Sequence, residues 1–122
     1  MATGTESRFN KSFFEAEALR VLSSTATLSS NAATITTWAA VITTESLTTA
    51  HTAAATLVIT KVGVAAGDLA MVTPVGGTNT QGVPVFNAVC TTDTVTITLR
   101  NNAIAANAFN GTFIFNLMIF KL

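Results

Sequence analysis

The stretch that decides the fold is Phe113-Ile114-Phe115-Asn116-Leu117-Met118-Ile119-Phe120, because it has the character of a strand that is apolar on both faces. Successive side chains of a strand point to opposite faces, so a strand with one solvated face alternates apolar and polar residues. Fully burying a large apolar side chain contributes roughly 1.5–3 kcal/mol, so both faces are expected to be covered. One face carries Phe113, Phe115, Leu117 and Ile119, and the other carries Ile114, Met118 and Phe120.

A chain of 122 residues is long enough for about one domain with one hydrophobic core. That core can cover one face of the strand, so the other face is predicted to meet a second subunit. The sequence leaves open which face does which. The predicted self-association interface therefore includes both sets, namely Phe113, Ile114, Phe115, Leu117, Met118, Ile119 and Phe120.

The composition also indicates a protein that assembles. Charged residues make up 10% of the chain and the formal net charge is zero, whereas an average soluble domain is roughly 25% charged. Little charge repulsion therefore opposes association. The charge is unevenly distributed, since half of the charged residues lie in the first twenty positions. This break predicts two regions, an N-terminal arm of residues 1–22 and a β-module of residues 23–122.

The arm contains one helix signal. Ser12 and Glu15 have the spacing of a capping box, which predicts a short helix. An isolated helix of about eleven residues is marginal in water, so a frayed terminus is one interpretation. The other is an arm that docks on a neighbouring molecule, because its three phenylalanines are many to leave exposed. The residues of this predicted docking contact are Phe9, Lys11, Phe13, Phe14 and Arg20.

Beyond the arm the chain is rich in Thr, Val, Ile and Phe, which predicts an all-β fold. In Thr94–Arg100, alternation places the three apolar residues inward and the threonines outward. Asn110-Gly111 is predicted to form a tight turn with positive φ. Strands and turns at this density indicate a jelly-roll-like β-sandwich of seven to nine strands. The eight strands that we predict are residues 21–28, 32–37, 40–44, 55–62, 68–73, 83–90, 94–100 and 112–121.

No pattern of side chains in the sequence predicts catalysis. His51 is the only histidine, every serine lies at or before Ser46, and the acidic residues are scattered. Neither a catalytic triad nor a metal site assembles from this distribution, so we predict no enzyme, no metal and no cofactor. We expect His51 to be exposed or to pack in a loop. Cys90 has no partner for an internal disulfide and is predicted to be a small buried hydrophobe.

Two classes of partner are also disfavoured. Six basic residues are balanced by six acidic ones and form no basic stripe that could follow a nucleic acid. The longest uncharged runs combine proline with glycine, which a lipid-embedded helix does not carry, so no membrane contact is predicted. The charged N-terminus is unlike a secretory signal, and the chain is expected to stay where it is synthesised.

The C-terminal half contains a recognisable order of turns and strands. The segments are Ala66–Pro74 (AGDLAMVTP), Gly82–Val85 (GVPV), Ala88-Val89, Thr92–Asn101 (TDTVTITLRN) and Gly111–Phe113 (GTF). In this order the chain resembles the small β-structured capsid decoration (cement) and head-fibre proteins of tailed bacteriophages. The resemblance covers roughly residues 57–121. It implies that the matching residues Gly67, Asp68, Pro74 and Asp93 are fold determinants rather than a binding site.

The resemblance implies a trimeric, jelly-roll-like module on the outside of a virion head, which stabilises the shell against the pressure of packaged DNA. The implied partners are two further copies of the chain, as a homotrimer, and the major capsid protein of the phage shell. The implied location is the capsid surface of the virion, after synthesis in the host cytoplasm. The docking contact of the arm is then a contact with the shell.

Two alternatives stay open. One is a receptor-binding tip of a tail fibre or head fibre, which would present exposed aromatic or acidic clusters; the single Trp38 and the absence of tyrosine weigh against it. The other is ice binding, because Thr-x-Thr occurs at Thr34–Thr36 and in Thr94–Thr98. Flat threonine arrays are expected to need a regular sequence repeat, and the sequence has none.

Overall fold

A computed structural model describes residues 22–122, and the structural statements below refer to these residues. The predicted short helix and nearly all of the predicted arm lie outside them. The described part is all-β, and each predicted strand has a counterpart at nearly the same position. The strands are β1 (Ser23–Thr27), β2 (Ala32–Thr34), β3 (Ala39–Thr43), β4 (Ala54–Thr60), β5 (Leu69–Gly76), β6 (Pro84–Thr91), β7 (Thr94–Asn101) and β8 (Ile114–Phe120).

The strands form two four-stranded sheets. Sheet A has the order β1-β3-β8-β5, and sheet B has the order β2-β4-β7-β6. The pairs β1–β3 and β2–β4 are parallel, whereas the others are antiparallel. Because the chain alternates between sheets from β1 to β6, consecutive strands lie mostly across the core rather than side by side. The predicted β-sandwich is confirmed, and its two mixed sheets add parallel pairs to the antiparallel pattern of a jelly roll.

The core lies between the sheets and is built from inward positions that alternate along each strand. In β7, Val95, Ile97 and Leu99 are completely buried, as the alternation predicts. The rings of Phe86 and Phe115 meet across the core with centroids 5.3 Å apart. The main buried residues are Leu28, Ile35, Ile42, Leu57, Ile59, Val95, Ile97, Leu99, Phe109, Phe113, Phe115, Leu117 and Ile119.

Strands β6 and β7 form a hairpin with a short connection. Its two-residue turn, Thr92-Asp93, places Asp93 in the left-handed region with φ 54°, which Asp tolerates better than most residues. The Asp93 carboxylate accepts a hydrogen bond from the Gly63 N–H at 2.9 Å. Asp93 therefore fixes the turn and ties it to the β4–β5 connection.

The prediction that Asn110-Gly111 forms a tight turn with positive φ is wrong. Gly111 does not have positive φ; it is buried and pairs with Leu47 in an isolated bridge. A Cβ atom at Gly111 would lie 2.5 Å from the Thr78 hydroxyl oxygen and 2.7 Å from the Asn79 nitrogen. Glycine is therefore needed there for the close approach of two chain segments, not for a turn.

Asn101, at the end of β7, holds three loops together. Its side-chain amide donates to the Thr49 carbonyl at 3.0 Å and to the Asn107 carbonyl at 2.7 Å. Its side-chain oxygen accepts from the N–H groups of Val83 and Ala103, both at 3.1 Å. Since Asn101 is completely buried, these four bonds satisfy its amide fully and fix the loops at one end of the sandwich.

Strand β5, at the edge of sheet A, is irregular at its C-terminal end. Its pairing with β8 shifts register between Pro74 and Gly76, which leaves Val75 as the extra residue of a bulge. Pro74 also lacks a backbone N–H.

Candidate interaction surface

The outer face of sheet A is apolar across its centre. The register places Phe120 of β8 beside Leu69 of β5, and Met118 beside both Met71 of β5 and Ala39 of β3. The next outward positions are Asn116 beside Val41, and then Ile114. We call the apolar face the set Val41, Leu69, Met71, Ile114, Met118 and Phe120.

Several large side chains of the apolar face are open to solvent. Leu69 is 54% exposed, Met71 56% and Phe120 41%, while Ile114, Met118 and Val41 are half-buried. Single exposed apolar residues are common on proteins, but a contiguous set on one face is typical of an interaction surface. The neighbouring outward positions on β1 and β3 are serine, threonine and alanine, so no charged group interrupts this face within the described residues.

A shallow groove runs beside the apolar face. It has a volume of about 340 Å³ and lies where small side chains on β1 and β3 meet larger ones on β8. It is lined by Ser23 of β1, by residues 39–41 of β3 and by residues 116–118 of β8. A protruding side chain of a partner could enter this depression, which gives the face shape as well as hydrophobicity.

The structure decides the question that the sequence leaves open for β8. Of the seven residues predicted for self-association, Phe113, Phe115, Leu117 and Ile119 face the core and are at most 6% exposed. Their side chains fill the sandwich, so they are the set of β8 that forms the core, and a contact between copies through β8 stays a prediction for the other set. Ile114, Met118 and Phe120 face outward and remain available. The predicted shell-docking residues Phe9, Lys11, Phe13, Phe14 and Arg20 lie outside the described residues.

Sequence reasoning missed the parts of the apolar face that lie outside β8. Leu69 and Met71 of β5 and Val41 of β3 contribute to the face, but the prediction considers only the last strand. The signal was available, since Leu69–Val72 and Ala39–Ile42 are also apolar on both faces. Applied to every strand, the same rule predicts most of the surface.

The outer face of sheet B is different, being rich in threonine. Thr91, Thr94, Thr60 and Thr34 lie side by side in one row across four strands. This row comes from cross-strand register, and no sequence repeat produces it. The outer face of sheet B therefore mixes threonines with exposed valines, since Val58 is 37% and Val89 52% exposed on it.

Trp38 lies at the end of the sandwich where β1 and β3 begin. Its ring is 37% exposed. The Lys61 ammonium lies 3.9 Å from the ring centroid and the Lys121 ammonium 5.9 Å, which are cation–π distances. Lys61 is buried and also donates to the Val62 carbonyl at 2.6 Å. Two of the chain's own cations therefore lie near this ring.

Cys90 and His51 are the two side chains that the sequence analysis weighed for a chemical role. Cys90 is 6% exposed, which confirms the buried hydrophobe, and burial raises the pKa of its thiol away from reactive values. His51 is half-buried in the turn before β4, and its Nδ1 has no hydrogen-bond partner among the described residues.

Between residues 22 and 122, no three His, Cys, Asp or Glu side chains are grouped so that they could hold a metal ion. The same residues include no helix long and apolar enough to cross a membrane. No protein-family model matches the chain, and neither a curated protein nor a solved structure does.

Proposed function

We propose that this protein is a capsid decoration (cement) protein, which self-associates through its apolar face and binds the outside of a bacteriophage head. The observation that carries the proposal is the apolar face itself, where Leu69, Met71 and Phe120 are each at least 41% exposed. Such a face on a chain with 10% charged residues favours permanent assembly over a free monomer. The order of turns and strands that resembles decoration proteins supports the same function.

A decoration protein needs no catalytic group. A molecule that binds the assembled shell but not its separated subunits stabilises the shell by mass action. Modest contacts repeated over a symmetric surface add together through multivalency. A rigid β-sandwich with one face for its own copies and another surface for the shell meets these requirements.

The direct test uses shells of the phage that encodes the chain, prepared without this protein. The added protein should co-sediment with the shells, and decorated shells should rupture at a higher temperature and a higher mechanical load than bare ones. Absence of co-sedimentation would refute the proposal. Equal rupture thresholds with clear binding would exclude a cementing role.

A second candidate function is a receptor-binding fibre tip, and the observation that favours it is the half-exposed Trp38 beside two lysines. Aromatic rings of this kind serve as recognition platforms. In that case Trp38→Ala should abolish adsorption of particles to host cells and leave attachment to the shell unchanged. Unchanged adsorption would favour the decoration protein.

A further inference from the structure

The position beside the first half of β4 is vacant among the described residues. Strand β4 begins at Ala54, but β2 pairs only with its residues 58–60. Before β2 the chain turns sharply, with φ of 50° at Ser30 and 58° at Asn31. No described strand therefore lies beside residues 54–57 on this side.

The hydrogen-bond pattern shows which backbone groups face the vacancy. The Val58 N–H donates to the Asn31 carbonyl and the Thr60 carbonyl accepts from the Ile35 N–H, both at 2.9 Å, so even-numbered residues of β4 point toward β2. The Ala53 carbonyl accepts from the Asn101 N–H at 2.9 Å, on the opposite side. Because this direction alternates along a strand, the N–H and C=O groups of Ala54 and Thr56 point into the vacant position.

A broad, open groove borders the vacant position. It has a volume of about 530 Å³ and lies between residues 53–55 and the segment 45–50. The segment 45–50 is held in place by hydrogen bonds to residues outside the groove. The Leu47 N–H donates to the Gly111 carbonyl at 2.9 Å. The Thr49 carbonyl accepts from the Phe109 N–H at 2.9 Å and from the Asn101 side chain at 3.0 Å.

We propose that this groove binds an extended segment of the shell protein, which adds as a strand beside β4 and bonds to the backbone of Ala54 and Thr56. Strand addition derives affinity from main-chain hydrogen bonds and specificity from the side chains along the groove. The inference rests on the proposed function, because it assigns the segment to the shell. The groove and the apolar face share no residue, so a contact between copies through the apolar face would not use the residues that line the groove.

The lining defines the chemistry of the segment. Apart from Leu47 and Asn31, the groove is lined by alanine, serine, threonine and one acidic residue. Small uncharged side chains fit such walls. Glu45 is the only charged residue in the lining, and one of its carboxylate oxygens accepts from the Asn31 N–H at 2.8 Å. A lysine or arginine at the corresponding end of the segment would complement this charge.

The first experiment tests the groove alone, with the full-length protein. The probe is the capped peptide acetyl-Thr-Ala-Thr-Ala-Lys-amide, and the readout is amide NMR. We expect saturable shifts at Ala54 and Thr56 at millimolar peptide. The controls are two peptides of the same sequence in which every second backbone nitrogen is methylated, one frame starting at the first residue and the other at the second. Only one of these frames lacks the N–H groups that donate to β4, and the peptide in that frame should bind roughly tenfold more weakly than the other. Absence of saturable shifts, or equal binding of both frames, would overturn the inference.

The second experiment assigns the segment to the shell. Thr56→Pro removes the N–H that points to the vacant side of β4 and leaves the bonds of β4 to β7 in place, and Thr56→Val replaces only the hydroxyl with a methyl group. We expect Thr56→Pro to bind shells roughly threefold to tenfold more weakly than Thr56→Val. Equal binding of the two variants would overturn the inference while the proposed function stands. If Thr56→Pro does not fold, the comparison of the two N-methylated peptides still tests whether the groove binds an added strand. If the wild-type protein does not bind shells, the proposed function is overturned, and with it the assignment of the segment to the shell.

Discussion

Single residues anchor the C-terminal end of the chain beside the turn before β5. The Asp68 carboxylate pairs with the Lys121 ammonium at 2.8 Å and accepts from the Ala65 and Leu122 N–H groups at 2.9 and 3.2 Å. The Lys121 ammonium also donates to the Gly63 carbonyl at 2.8 Å. Asp68 therefore fastens the residues that follow β8 to the turn that precedes β5.

The pH dependence of stability should reveal this anchor. The hydrogen bond from Lys121, followed by those from Ala65 and Leu122, lowers the pKa of Asp68 to about 2. Because the folded-state value lies below the ordinary carboxyl value of about 4, the stabilisation is complete above about pH 4 and is lost as the pH falls toward 2. Asp68→Asn should lower the melting temperature at about pH 6, and this difference should shrink toward pH 2. A pH-independent difference would contradict the role of the carboxylate.

Cys90 should contribute through packing alone. Cys90→Ser places a hydroxyl at a site that is 6% exposed, where it needs a hydrogen-bond partner, so we expect a loss of about 1 kcal/mol in the free energy of unfolding. Denaturant unfolding measures this loss. Attachment to shells should be unchanged, and a variant that unfolds normally but fails to attach would show that the thiol has another role.

At the scale of elements, β8 divides its side chains between the core and the apolar face. Phe120→Ser or Met118→Ser should weaken self-association about tenfold or more, because each removes large apolar area from the contact. The measurement is sedimentation over a concentration series. Val89→Ser is the matched control, since Val89 is 52% exposed on the outer face of sheet B.

Val89→Ser should leave association unchanged. Phe115→Ala, in contrast, removes a completely buried ring from the core and should cost about 3–5 kcal/mol in folding free energy. If Phe120→Ser and Val89→Ser associate equally well, the apolar face is not the contact between copies.

Deletion of residues 1–20 separates the arm from the β-module. The described strands begin at Ser23 and form two four-stranded sheets, so the truncated protein should keep the β-fold and its self-association. Attachment to shells should weaken, because the charged, phenylalanine-bearing arm is predicted to dock there. Circular dichroism, sedimentation and shell binding measure the three properties. Full shell binding by the truncated protein would show that the arm makes no contact with the shell.

Strand positions were predictable because alternation and turn chemistry act locally. Val95, Ile97 and Leu99 show this in β7, where two-residue periodicity alone assigns the buried face. The parallel pairing of β1 with β3 was not predictable, since it joins segments through a strand of the other sheet. The groove beside β4 was equally hidden, because it depends on β2 being only three residues long. Gly111 shows a third limit, as a close approach between distant segments has no local signature.

At the scale of the whole molecule, we predict a homotrimer. The apolar face needs cover, and the resemblance to decoration proteins implies three-fold assembly. Sedimentation equilibrium or light scattering should find particles of three 12.6-kDa chains. A stable, soluble monomer at micromolar concentration would contradict both the trimer and the role of the apolar face.

The irregular edge of sheet A has a consequence for crowded conditions. A regular, open edge strand can pair with the same strand of another molecule and grow into fibrils without limit. In β5 the bulge at Val75 and the missing N–H of Pro74 interrupt such pairing, and Pro84 does the same at the start of β6. Concentrated solutions of this threonine- and valine-rich chain should therefore stay free of amyloid, and replacing Pro74 with threonine should promote it.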